Sequence, residues 1–211
     1  MLEIIKQRII TTHPITGDSV EFVSTTSEND GTCNIMHVRL NPTFKVPSQY
    51  HKKTIHVFKC LEGALCIRLK GGELEMLPAG RSFTILPLTP YALLNPGLNL
   101  VKFEHKIIPG RRGFEDALMI FHGMLKKKEL VSFGTRSFLN FISDTYTVSF
   151  TEKMLHPLRR YLASKALRDG AYKNLLEKYG RANGLVFNHD TPRGNASPDG
   201  MPGVVVYPEG T

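Results

Sequence analysis

The sequence predicts a mainly β protein, a small antiparallel barrel or sandwich followed by a C-terminal α-helical segment. Three observations carry this. Between Pro47 and Asn95, short β-rich runs alternate with turns at Gly63, Gly71-Gly72, Gly80 and Pro87 to Pro90. Asn34 to Leu40 alternates strictly, with Met36, Val38 and Leu40 apolar on one face and His37 and Arg39 on the other. After Pro109-Gly110 the apolar period lengthens to that of a helix, with Phe114, Leu118, Phe121, His122 and Leu125 in one stripe.

Taken in order, Ile4 to Ile10 reads as an extended strand. His13 to Asp18 is turn chemistry, with Pro14 fixing φ and Gly17 permitting positive φ. Val20 to Ser24 alternates as a strand, and Ser27 to Gly31 is a polar turn. Strands are then expected over 56–60, 64–69, 73–77, 82–86 and 91–94, separated by the Gly and Pro turns. A further strand runs from Leu100 to Ile107. Its charged face, Lys102, Glu104 and Lys106, belongs in water, which turns Val101, Phe103, His105 and Ile107 inward. In the first helix, Glu115 and Asp116 come early and Lys126 to Lys128 late, as the helix dipole favours. Phe138 to Ile142 fits a short helix. Another starts near Thr151, or near His156 if Pro157 marks its first turn. Ala171 to Tyr179 adds a last turn or two. The Gly/Pro-rich tail carries Val204 to Tyr207, which fits an added edge strand. This gives a barrel over 1–110, a helical segment over 111–184 that packs on it, and a tail over 185–211.

With 211 residues, the chain suits one domain or a domain with an appendage. It is expected to bury roughly 70% of its unfolded surface without disulfides. Its three cysteines, Cys33, Cys60 and Cys66, have no framework spacing. Cys60 and Cys66 lie in apolar strand patterns and read as buried thiols. The net charge of +8 raises a nucleic-acid reading. The basic residues are scattered, however, and no zinc-finger spacing, RNA-binding aromatic signature or phosphate loop accompanies them. No nucleic-acid partner is expected. No apolar run reaches the ~18 residues of a spanning helix, and Met1 to Lys6 is too short and charged for a leader. A cytoplasmic protein without a membrane partner is therefore expected. Uncovered barrel edges and an amphipathic helix point to a homodimer.

The order of turns from Asn34 to Pro109 resembles the paired motifs of the cupin family, a jelly-roll barrel that holds a metal or substrate inside. The likeness extends to Pro14 to Ser19, to Gly113 to Leu118 and to Pro157-Leu158-Arg159, which are similar to segments of small bacterial single-domain cupins. Metal-binding cupins place two histidines one residue apart, then a glutamate, then a histidine in the second motif. The matching positions here are Gln49, His51, His56 and Tyr91, and Asn95 matches the usual asparagine. One of the four ligands is kept, and a histidine stands where the carboxylate belongs.

An iron site of the non-haem type needs two imidazoles and an anionic carboxylate. Here the resemblance implies either no cofactor or one divalent ion, zinc, iron, copper or manganese, held by His51 and His56. Two imidazoles without an anion make a weak site, and Tyr91 would ligate only if ionised, far below its usual pKa of about 10. The reading adopted is a small-molecule-binding cupin working without a metal, or with a weakly held one, on an organic substrate. His51, His56 and Tyr91 would supply isomerase-, cyclase- or lyase-like acid–base chemistry. Gln49, Phe58, Phe83, Asn95, Phe103 and His105 would contact substrate, with Cys60, Ile67, Ile85 and Leu93 also in the walls. A metal-dependent dioxygenase and a non-catalytic ligand-binding or sensor module are the alternatives.

Overall fold

A computed structural model describes residues 9–43, 45–148 and 150–180. Most of the expected first strand, residues 181–184 and the 185–211 tail with Val204 to Tyr207 lie outside them.

The β region comprises β1 (Ile10–Thr12), β2 (Ser19–Ser24), β3 (Asn34–Leu40), β4 (Gln49–His51), β5 (Ile55–Glu62), β6 (Ala64–Leu69), β7 (Leu74–Pro78), β8 (Ser82–Ile85), β9 (Tyr91–Leu94) and β10 (Val101–Ile108). The polar stretch after β2 forms a 3-10 turn, Thr26–Glu28. The helical region holds α1 (Arg112–Lys126), α2 (Phe133–Ile142), a late strand β11 (Thr145–Thr147), α3 (Phe150–Arg168), α4 (Ala171–Leu175) and a π-helical turn, Leu176–Gly180. The strands form two antiparallel sheets, in the orders β1-β2-β3-β10-β5-β8 and β11-β4-β9-β6-β7. These two sheets make the expected mainly β jelly-roll barrel, followed by the expected helices. β11 comes from beyond residue 110 and pairs with β4, so the helical segment supplies an edge strand to the barrel.

The barrel interior is filled. Leu40, Phe58, Cys60, Leu65, Ile67, Ile85, Leu93, Val101 and Phe103 form one buried cluster, with Phe83 packed against it. The expected walls are therefore core: their inward phase is right, but their side chains meet each other. The three cysteines are free and buried. The β5–β6 hairpin turns on Gly63 at φ +80, where a Cβ would lie 3.1 Å from Val101.

α1 is a plate with two buried faces. Met119 packs on Phe22, Met36 and Ile107 of the six-stranded sheet. Ala117, Ile120 and Met124 pack on Phe138, Leu139 and Tyr179. The stripe read from sequence, Phe114, Leu118, Phe121 and Leu125, is only half-buried apart from His122. A helix covered on both sides buries a wider band than a one-faced pattern reveals. Gly110 sets where α1 begins, because a Cβ there would lie 2.9 Å from the Gly31 carbonyl oxygen. Asn34 then ties α1 to the barrel, accepting from the Arg111 amide at 2.7 Å. Glu115 extends the tie by accepting from the Thr26 amide at 2.7 Å.

α2 begins at Phe133 under a Ser132 cap, five residues before the helix expected over Phe138 to Ile142. α3 starts at Phe150, with Pro157 inside it. The expected restart near His156 does not occur: Pro157 is exposed, so the carbonyl it strands can turn to water. No described helix is long and apolar enough to cross a membrane.

Candidate functional site

The two sheets bring their inner-face polar residues together at one end of the barrel. β10 carries His105 opposite Phe58, and β5 carries His56 opposite Ile107. β9 contributes Tyr91 opposite Gln49 of β4, and β4 ends in His51. His51, His56, Tyr91 and His105 are all at most 7% exposed. Phe114 of α1 reaches over them, its ring centroid 5.9 Å from His105 and 6.4 Å from His56.

The hydrogen bonds fix most of the protons. His51 Nδ1 lies 3.0 Å from the Asp144 carbonyl oxygen, which can only accept, so Nδ1 carries the proton. His51 Nε2 is then an acceptor and receives a hydrogen bond from the Tyr91 hydroxyl at 3.0 Å. Gln49 Nε2 donates to the same phenol oxygen at 3.3 Å. The second branch leaves a choice. His56 Nε2 lies 2.9 Å from Thr54 Oγ1, and His56 Nδ1 lies 2.8 Å from His105 Nε2. Either Thr54 donates to His56 and His56 to His105, or both bonds run the other way. Tyr91 Oη stands 3.5 Å from His56 Nδ1 and joins the two branches.

Burial keeps the cluster uncharged. It lowers His51 to about 4, with the Arg111 charge adding to the fall and the Asp144 carbonyl opposing it. Burial and the neighbouring His51 lower His105 to about 3. His56 falls furthest, through burial and then the adjacent His105 and His51. Burial raises Tyr91, against the Gln49 hydrogen bond, so the phenol keeps its proton.

His51 and His56, the expected ligand pair, do not fit a metal ion as arranged. Their rings stack with centroids 3.6 Å apart and planes 18° from parallel. Their in-plane lone pairs therefore run side by side. An ion ~2 Å from one nitrogen in its ring plane would lie well out of the plane of the other ring and off its lone pair. Among the described residues, no three His, Cys, Asp or Glu side chains are grouped to hold a metal.

The remaining expected residues divide. Gln49 and His105 join the cluster, and Phe58 stacks on His105 at 4.5 Å as its floor. Phe103 lies one layer deeper, 6.0 Å from Phe58. Phe83 packs from β8 against the core. Asn95 is at the opposite end of β9, and its amide is fully engaged by backbone. Nδ2 donates to the Leu40 and Asn99 carbonyls at 2.9 Å each, and Oδ1 accepts from Gly97 N at 3.1 Å. It offers no polar atom to a ligand there. The shallow hollow beside it is lined by Thr43, Lys45, Leu94 and Pro96, away from the histidines.

Three participants were missed. Thr54 shares the inward phase of His56 two residues on, a signal available in the alternation. Asp144 orients His51 through its carbonyl, and its carboxylate accepts from the Lys52 and Lys53 amides at 3.0 and 2.7 Å. Arg111 places a positive charge near His51, Asp144 and Tyr146. Both lie far from His51 in sequence, and no local pattern joins them to it.

No family model matches the chain, and no curated protein matches it. Among solved structures it is similar to KdgF from Halomonas sp., at 17% identity over 45% of this chain and 82% of that one, with a TM-score of 0.40. It is also similar to the polyketide cyclase RemF from Streptomyces resistomycificus, at 17% identity over 45% and 67% with a TM-score of 0.41. A third is the Cupin_2 domain of an XRE family transcriptional regulator from Enterobacter cloacae, at 16% identity over 44% and 98% with a TM-score of 0.39. At these identities no residue role passes from them to this chain.

Proposed function

We propose that this cupin-fold chain binds a small organic molecule at the histidine end of its barrel and moves protons on it, in the manner of an isomerase, cyclase or lyase. One observation carries the reading. The Thr54–His56–His105 chain has two complete sets of hydrogen bonds that differ only in where the protons sit. A relay of that kind can take up a proton at one end and release it at the other. Tyr91 keeps its proton and donates a hydrogen bond to His51 at rest. A ligand carbonyl in place of His51 Nε2 would receive that same hydrogen bond and be stabilised as an enolate. A proton leaving the neighbouring carbon would pass to a neutral imidazole and return to an adjacent carbon, so that the isomerisation balances.

Thermal-shift screening of small carbonyl compounds, followed by titration, tests this. A ligand that binds the fold raises the melting temperature by mass action. Tyr91→Phe and His51→Asn are expected to weaken its dissociation constant at least ~10-fold, since each removes a polar partner in a buried site. Ligands that bind both variants as well as the wild type, or no ligand at millimolar concentration, would overturn the reading.

A further inference from the structure

Arg111 is built into the fold as a fixed cation. Its backbone is held on both sides by Asn34, whose Oδ1 accepts from the Arg111 amide at 2.7 Å and whose Nδ2 donates to the Arg111 carbonyl at 3.5 Å. Its side chain is half-buried, and its Nε is fully buried with no hydrogen-bond partner among the described residues. An unpaired guanidinium N–H away from water is costly. The surroundings increase the cost. Lys52 Nζ donates to His156 Nε2 at 2.8 Å and stands 4.4 Å above the Tyr146 ring. Asp144, whose carbonyl bonds His51, has its carboxylate already committed to the Lys52 and Lys53 amides. Among the described residues, no side chain answers the Arg111 Nε.

We infer that Arg111 anchors an oxyanion, the carboxylate or phosphate of a small organic acid, at the rim beside His51, with Lys52 as a flanking cation. The guanidinium fork matches such a group. This deepens the reading above by giving the substrate class: an acid whose anionic end is held at Arg111 while its other end reaches the Tyr91 and His51 side chains.

The test uses the full chain with citrate and inorganic phosphate as probes, each against sodium chloride at equal ionic strength. Binding is read by calorimetry and by the 15N–H signal of the Arg111 Nε. Citrate or phosphate is expected to bind the wild type and shift that signal. Arg111→Gln is expected to weaken binding at least ~10-fold, Arg111→Lys to recover part of it, and Arg81→Gln, on an exposed turn, to change nothing. Citrate binding alone marks a carboxylate ligand, and phosphate alone a phosphorylated one. If neither probe binds, if Arg111→Gln binds as well as the wild type, or if the Nε signal stays still at saturation, the inference is overturned. The wild-type signal decides even where Arg111→Gln fails to fold. Anion binding through Arg111 with no dependence of carbonyl ligands on Tyr91 or His51 would remove the proton-transfer reading and leave the anchor.

Discussion

The two ends of the barrel are equally dry and chemically opposite. At one end Asn95 is 1% exposed, and every bond of its amide goes to a backbone carbonyl or N–H whose role as acceptor or donor is fixed. At the other end His56 is also 1% exposed, but its partners are another imidazole and a hydroxyl. Both ends satisfy the rule that buried polar groups must be paired. Only the second does so with groups that titrate and can exchange the roles of donor and acceptor. Burial alone does not distinguish the two ends, whereas shared, movable protons do.

Packing variants should act most strongly. Phe103→Ala removes a ring from the shared core and should cost about 3–5 kcal/mol by chemical denaturation. A loss below 1 kcal/mol would mean that Phe103 faces a space open to ligand, as the sequence led one to expect, and would erase the distinction between core and site.

Acid should come next. An imidazole that stays neutral in the fold but protonates in the unfolded chain removes ~1.4 kcal/mol per pH unit below about pH 6.5. The stabilisation is complete above that value. It falls as pH drops towards about 4 for His51 and about 3 for His105. His122 on α1, lowered to about 4 by burial and by His13, adds to the slope. Burial raises Glu115, Asp116 and Asp144, which act in the opposite sense only as pH nears the carboxylate range. Denaturation midpoints between about pH 7 and about pH 5 should therefore fall steadily, and a flat profile would break the account of a neutral histidine end.

Asn95→Ala should cost about 1–3 kcal/mol, because three backbone groups lose their partner, while ligand binding at the histidines stays unchanged. Tyr91→Phe should cost least, ~1–2 kcal/mol by thermal melting, since the hydroxyl's bonds to His51 and Gln49 are lost but the ring volume is kept. Its effect on ligand affinity should exceed its effect on stability. The reverse ranking of these two variants on binding would exchange the roles of the two ends.

The barrel was largely legible because Gly and Pro turns divide it into alternating runs, and β3 matches the stretch read from sequence. β4 and β11, three residues each, were not legible: neither is long enough to show a period, and each is a strand only because the other, or β9, lies beside it. The cluster was legible where spacing carried it. Turn-counting led to Gln49, His51, His56 and Tyr91, and strand alternation turned His105 inward. Asn95 follows the same motif, yet its amide serves the loop. Asp144 reaches His51 from a late turn, a tertiary placement that no window of sequence contains.

The most direct test of the central claim is 15N NMR of the imidazoles from about pH 8 to about pH 5, assigned with His51→Asn and His105→Asn and repeated with a bound carbonyl ligand. The account predicts that His51 and His105 remain neutral throughout, that His51 holds its proton on Nδ1, and that ligand moves both while the Asn95 amide signals stay in place. Imidazoles that titrate near 6.5, or a ligand that shifts the Asn95 amide and leaves the imidazoles unchanged, would contradict it.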